Sequence, residues 1–128
     1  MDDPSNPHSW VDRAEEDYVL AQSAIRRKAP LIYGATFHAQ QCVEKYLKAI
    51  LVSAQQVFPK THDLVALGDL CTRVGMILPV EMDVLEKLNA FSVLARYPGN
   101  RPTIEEAKEA IHDMRILRRF MRKYLGLT

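Results

Sequence analysis

Phe37-His38-Ala39-Gln40-Gln41-Cys42-Val43-Glu44-Lys45-Tyr46-Leu47-Lys48-Ala49-Ile50-Leu51 contains no Gly and no Pro and is rich in strong helix formers, so it reads as helix. Ala35, Ala39, Cys42, Tyr46 and Ile50 recur at three- and four-residue spacing and share one face, which Val43 and Leu47 widen into a stripe. The small residues Ala35, Ala39, Cys42 and Ala49 let a neighbouring helix approach closely. Beside the stripe, Gln40, Glu44 and Lys48 form a polar line at i, i+4 spacing, flanked by Gln41 and Lys45. Such a helix belongs at the centre of a bundle. Its polar line is either a solvated face, held by pairs worth about 0.2–0.5 kcal/mol each, or the wall of a site.

Working outward, this helix spans about residues 31–56. Pro30 separates it from a first helix that Ser9 caps and that ends near Lys28, with Val11, Ala14, Tyr18, Ala21 and Ile25 inward. Acidic residues load its start and Arg26, Arg27 and Lys28 its end, the order the helix dipole favours. After Phe58-Pro59-Lys60, Thr61 or Asp63 caps a third helix with Leu64, Leu67, Leu70 or Cys71, and Val74 inward, and Gly75 ends it. A fourth helix opens at Pro79 or Val80, buries Val84, Leu85, Leu88, Phe91 and Ala95, and stops at Tyr97-Pro98-Gly99-Asn100. Thr103 and Glu106 make a capping box for a fifth. That helix turns Ile104, Ala107, Ile111, Met114, Leu117, Met121 and Tyr124 inward and presents Arg115, Arg118, Arg119, Arg122 and Lys123 on an outer face. Nothing alternates with period two. The expectation is an all-α, antiparallel up-and-down bundle of four to five helices, with residues 1–8 a flexible lead and 9–128 the domain.

A chain of 128 residues is long enough for a core that needs no staples, and 48% hydrophobic with 26% charged residues is ordinary for a soluble globular protein. The net charge of +1 excludes a global pull toward nucleic acid or membrane, so any basic site must be local. Cys42 and Cys71 lie in apolar helical patterns and read as reduced buried thiols. The acidic first residues lack the apolar core of a signal peptide, and no apolar run approaches the ~20 residues of a membrane span, so a cytoplasmic location is expected.

No Gly-rich phosphate loop, HExxH, GxSxG or EF-hand pattern is present. His8, His38, His62 and His112 never pair at i, i+3 or i+4, so no metal and no cofactor are expected. Thr61-His62-Asp63 is either a plain helix cap or a cap carrying a histidine that titrates near neutrality. Arg96-Tyr97-Pro98-Gly99-Asn100-Arg101 is either a helix terminus or an anion site, with two arginines about a turn and a phenol between them. The basic run Arg115–Lys123 is either a solvated helix end or a nucleic-acid contact, though it lacks interleaved exposed aromatics.

Three segments, Phe37–Ala49, Lys60-Thr61-His62-Asp63-Leu64 and Ala95-Arg96-Tyr97-Pro98-Gly99, precede a last helix opening at Thr103-Ile104-Glu105-Glu106-Ala107. In that order and spacing they resemble the HEPN family, the higher eukaryote and prokaryote nucleotide-binding domain, over nearly the whole chain. The resemblance implies a helical bundle, commonly a homodimer, that works with a minimal nucleotidyltransferase partner in a toxin–antitoxin-like pair. Many members are metal-independent RNases with an Arg-x4-6-His motif. Here that motif is absent: from Arg96 the His would fall at Arg101, Pro102 or Thr103, and no His has an Arg at the required distance before it. RNA cleavage would then need a non-standard base, with Arg96, His62 and Tyr97 as catalytic candidates. The resemblance places nucleotide or RNA in a site lined by Arg96, Tyr97 and Arg101, with Glu44, Lys45, Lys48 and His62 contributing. The alternatives are a metal-independent RNase toxin and a non-catalytic dimeric interaction module.

Overall fold

Helix-forming stretches separated by Pro and Gly become five helices: α1 (Pro7–Arg26), α2 (Ile32–Ser53), α3 (Leu64–Arg73), α4 (Met82–Leu94) and α5 (Ile104–Tyr124). The computed structural model describes residues 2–94, 97–99 and 101–128, and no strand occurs among them. The architecture is an all-α antiparallel bundle in which α2 packs against each of the other four helices. Ala35, Ala39, Cys42, Val43, Tyr46, Leu47, Ala49, Ile50 and Leu51 of α2 are all buried. A helix apolar on most of its circumference can satisfy itself only in the middle of a bundle.

α1 begins earlier than a Ser9 cap allows. Asn6 is the N-cap, its side chain accepting from the His8 amide, and Pro7 occupies the first turn, where a missing N–H costs nothing. Ser9 is instead inside the helix, and its hydroxyl accepts from the Asp3 amide at 3.1 Å. The buried stripe of α1 is Val11, Ala14, Asp17, Ala21 and Ala24, with the expected Tyr18 and Ile25 partly buried against the core beside it. Small residues on the stripe let α1 lie close to α2, with Ala24 against Gly34.

Local signals set the other boundaries. Asp63 caps α3, accepting from the amides of Val65 and Ala66. At the other end Gly75 takes φ 103°, and the amides of Gly75 and Met76 return to the carbonyls of Thr72 and Cys71, a Schellman closure. α5 carries the full capping box between Thr103 and Glu106. Tyr124, expected inward, is 48% exposed at the end of α5, with its ring stacked on Phe120. Both cysteines are buried free thiols, and burial pushes Cys71 up to about 12, which removes it from nucleophilic chemistry at neutral pH.

The arginines of α5 are not all on an outer face. Arg118 grips Glu15 of α1 with two hydrogen bonds of 2.7 and 2.6 Å. The Tyr46 hydroxyl donates to Glu15 at 2.5 Å, and Arg122 donates to that hydroxyl at 3.0 Å. One carboxylate therefore ties α1, α2 and α5 together. Burial alone would raise the Glu15 carboxyl, but the hydrogen bonds from Arg118 and Tyr46 and the two guanidinium charges hold it below its ordinary value. A carboxylate depressed in the folded state contributes stability that is present above its unfolded value and lost as pH falls through the folded one. Urea denaturation should accordingly show wild type more stable than Glu15→Gln at pH 7. The gap should narrow as pH drops below the ordinary glutamate range, and a gap that stays constant would show that Glu15 is not ionised in the fold.

Candidate functional site

The polar line of α2 is not solvated. Gln40 is 0% exposed, Glu44 2% and Lys48 7%. An isolated carboxylate at that depth would be prohibitively costly, so its partners define it. Lys48 Nζ donates to Glu44 Oε2 at 3.1 Å, and His62 Nδ1 lies 3.0 Å from Glu44 Oε1. Gln41 Nε2 donates to Gln40 Oε1 at 2.7 Å and reaches Glu44 Oε1 at 3.5 Å, while Gln40 Nε2 donates to the His62 carbonyl at 2.9 Å. Glu44 is thus the hub of a fixed arrangement in which each neighbour has one role.

His62 is placed by the start of α3. Asp63, besides capping that helix, accepts from Asn89 Nδ2 at 2.7 Å, and Asn89 Oδ1 in turn accepts from the Leu64 amide at 2.8 Å. The cap and the histidine are both used: Asp63 fixes the backbone and His62 turns back onto α2. The imidazole stays 67% exposed while the carboxylate holding it is buried. A second buried carboxylate, Asp17 of α1, accepts from Lys45 Nζ at 2.5 Å and pairs with His38 Nδ1 at 2.7 Å.

Beside the Glu44 cluster lies a cavity of about 370 Å³, lined by Trp10, Gln41, Glu44, Lys45, Lys48 and His62 together with Asp2, Pro4, Ser9 and Arg13. A neighbouring hollow of about 540 Å³ shares Trp10, Lys48 and His62 and adds Phe58 and Lys60. The chain's single tryptophan is therefore a wall common to both. Its indole N–H donates to the Pro4 carbonyl at 2.9 Å, Phe58 meets it edge-on at 6.3 Å, and Lys48 Nζ lies 5.4 Å from its ring centroid. The hollow between α4 and α5 is different in kind: among the described residues Glu106, Glu109 and Asp113 line it with Lys87 as the one cation, and burial followed by the charge of Glu109 raises the Asp113 carboxyl. Such a surface repels phosphate.

Of the residues singled out in the sequence, Glu44, Lys45, Lys48 and His62 come together on one cavity. Tyr97, 60% exposed, and the exposed Arg101 do not line it. Arg96 lies outside the described residues, as does Ala95, expected in the core. Among the described residues no three His, Cys, Asp or Glu side chains converge as metal ligands, and no helix is long and apolar enough to cross a membrane.

Sequence reasoning missed Trp10, Asp17 and His38. Asp17 left a readable trace: it falls at helical spacing between Ala14 and Ala21, and a carboxylate on an apolar face demands a cation from the helix opposite. Trp10, one turn before Ala14, continues the same face.

The fold and the cavity define an all-helical bundle protein with a preorganised mixed-charge pocket on its central helix. A model of the HEPN domain matches residues 8–124, and the chain belongs to the HEPN family. Membership points to a function related to nucleotides or RNA. No curated protein matches the chain. Among solved structures, the crystal structure of TT1696 from Thermus thermophilus superposes with a TM-score of 0.73 at 22% identity, covering 91% of this chain and 96% of that one. At this identity the likeness establishes the fold.

Removing one partner of a buried ion pair strands the other charge. Glu44→Ala should cost about 3–5 kcal/mol in urea denaturation. Lys48→Ala should cost less than that, and the double variant markedly less than the sum. Additive costs would show that the two side chains do not interact.

Proposed function

We propose that this HEPN protein binds nucleotide or RNA in the cavity between Trp10 and His62. On this reading it acts as a homodimer that works with a minimal nucleotidyltransferase in a toxin–antitoxin-like pair. The observation that carries the reading is the buried Glu44, which holds Lys48 and His62 on a cavity wall beside the single tryptophan. Lys45, Lys48 and His62 supply cations and donors for a phosphate, and an aromatic face accepts any base because every base has a π-surface. Arg96 holds phosphate in this reading, whereas Tyr97 and Arg101, which do not line the cavity, have no part in it. The partnership rests on the family resemblance alone.

A second reading, metal-independent RNA cleavage, is favoured by one feature. His62 presents Nδ1 to a buried carboxylate while its ring stays exposed, the orientation in which a carboxylate fixes the tautomer of a general base. RNA incubated with the protein and a chelator should be cut by wild type and not by His62→Ala if this reading holds; uncut RNA at high protein concentration removes it.

The binding reading is tested by calorimetry with ATP, GTP and a short RNA. Saturable binding is expected, weakened by salt and lowered roughly tenfold or more in His62→Ala and in Arg96→Ala. Unchanged affinity in Arg96→Ala would remove that residue from the site, and no binding of any of the three would overturn the reading. Co-expression with a minimal nucleotidyltransferase should give co-purification, and separate elution would end the partnership claim.

A further inference from the structure

α1 and α5 run antiparallel along the seam closed by Glu15–Arg118 and Gln22–Arg115. The seam opens into two shallow hollows that share Tyr18. One, of about 470 Å³, is walled by Arg26 and Arg27; the other, of about 140 Å³, by Arg115, Arg118, Arg119 and Arg122. Among the described residues, no acidic side chain lines either hollow. In a chain of net charge +1 this is a strong local concentration of positive charge.

Its compensation is incomplete. Arg118 and Arg122 share the carboxylate of Glu15, Arg122 also donates through Nε to the main-chain oxygen of Thr128 at 2.9 Å, and Arg115 bonds only the neutral Gln22, through Nε at 2.9 Å. Arg26, Arg27 and Arg119 are exposed and have no ion-pair partner among the described residues. The basic run, which has no exposed aromatic of its own interleaved, receives one from α1: Arg118 Cζ lies 4.0 Å over the Tyr18 ring, and Gln22 Nε2 donates to the Tyr18 hydroxyl at 2.9 Å. The arginines of α5 recur once per helical turn, about 5.4 Å along the axis.

We propose that this groove is a track for the sugar–phosphate backbone of an RNA strand, distinct from the cavity at His62. The proposal rests on the nucleotide-or-RNA reading above and deepens it. Cations repeated along the length of a groove suit a polymer with regularly spaced phosphates. Guanidinium forks match phosphate oxygens two at a time, and Tyr18, with Arg118 over one face of its ring, lines both hollows. An aromatic wall, together with membership of the HEPN family, favours nucleic acid over an acidic protein segment.

The test is fluorescence anisotropy with labelled single-stranded RNA across a salt series, on wild type and Arg27→Ala/Arg119→Ala. Both side chains are exposed and unpaired among the described residues, so the variant should keep the wild-type melting curve. Its RNA affinity should fall roughly tenfold, and the slope of log affinity against log salt should shrink by roughly one for each arginine removed. ATP affinity, read at the His62 cavity, should not change. Wild-type RNA affinity and slope in the variant would overturn the groove while leaving the cavity reading intact, as would a wild type that takes ATP but no RNA. Polyglutamate that competes as well as RNA of equal charge would assign the groove to an acidic protein and overturn it too.

Discussion

The buried carboxylate of Glu44 is the constraint on which the site depends. Placed on the central helix, it cannot be left alone at that depth. It draws Lys48 from its own helix and His62 from the start of α3. Those contacts fix how the segment after Pro59 returns to α2, which sets where α3 begins, and Trp10 closes the other side. The candidate cavity is therefore a by-product of satisfying a charge in the core. Glu44 and Lys48 are buried and hold one geometry while the His62 ring stays exposed, the condition under which a cation is preorganised for a ligand.

Glu15 does the same for the bundle that Glu44 does for the cavity. Its carboxylate is met by Tyr46 and two arginines, so three helices converge on one anion. Each carboxylate leaves its partners oriented for something else. At Glu44 the partners face a cavity; at Glu15 the arginines line an open groove. One chain of modest net charge thus carries a mixed-charge cavity and a basic groove without becoming globally basic. The acid-lined hollow between α4 and α5 keeps that part of the molecule unattractive to phosphate.

What was legible in the sequence was what local rules determine. The Phe37–Leu51 helix, the Thr103–Glu106 capping box, the Asp63 cap and the Gly75 closure all follow from a few neighbouring residues. The order of segments that resembles HEPN was also legible, because it is a matter of spacing. What was not legible depended on residues far apart in the chain. Whether Gln40, Glu44 and Lys48 faced water turned on Trp10 and His62 arriving from outside the helix. Arg118 and Arg122 look like a solvated helix end until Glu15, a hundred positions earlier, is seen beside them. In α1 the buried positions include Asp17 and Ala24, next to the expected Tyr18 and Ile25, which pack partly buried against the core. Asp17 is inward because it meets Lys45 and His38 from α2, partners no local rule reveals.

The central claim is that Glu44 preorganises Lys48 and His62 around a nucleotide cavity walled by Trp10. Because the chain has a single tryptophan, one indole N–H resonance reports on that wall. A two-dimensional 1H–15N titration of labelled protein with ATP is the most direct measurement. The account predicts that the Trp10 indole and the His62 ring resonances move together and saturate at one dissociation constant. It also predicts that both responses vanish in Glu44→Gln while the backbone spectrum remains that of a folded protein. Saturable shifts confined to other parts of the chain, with the indole and His62 unmoved, would contradict it.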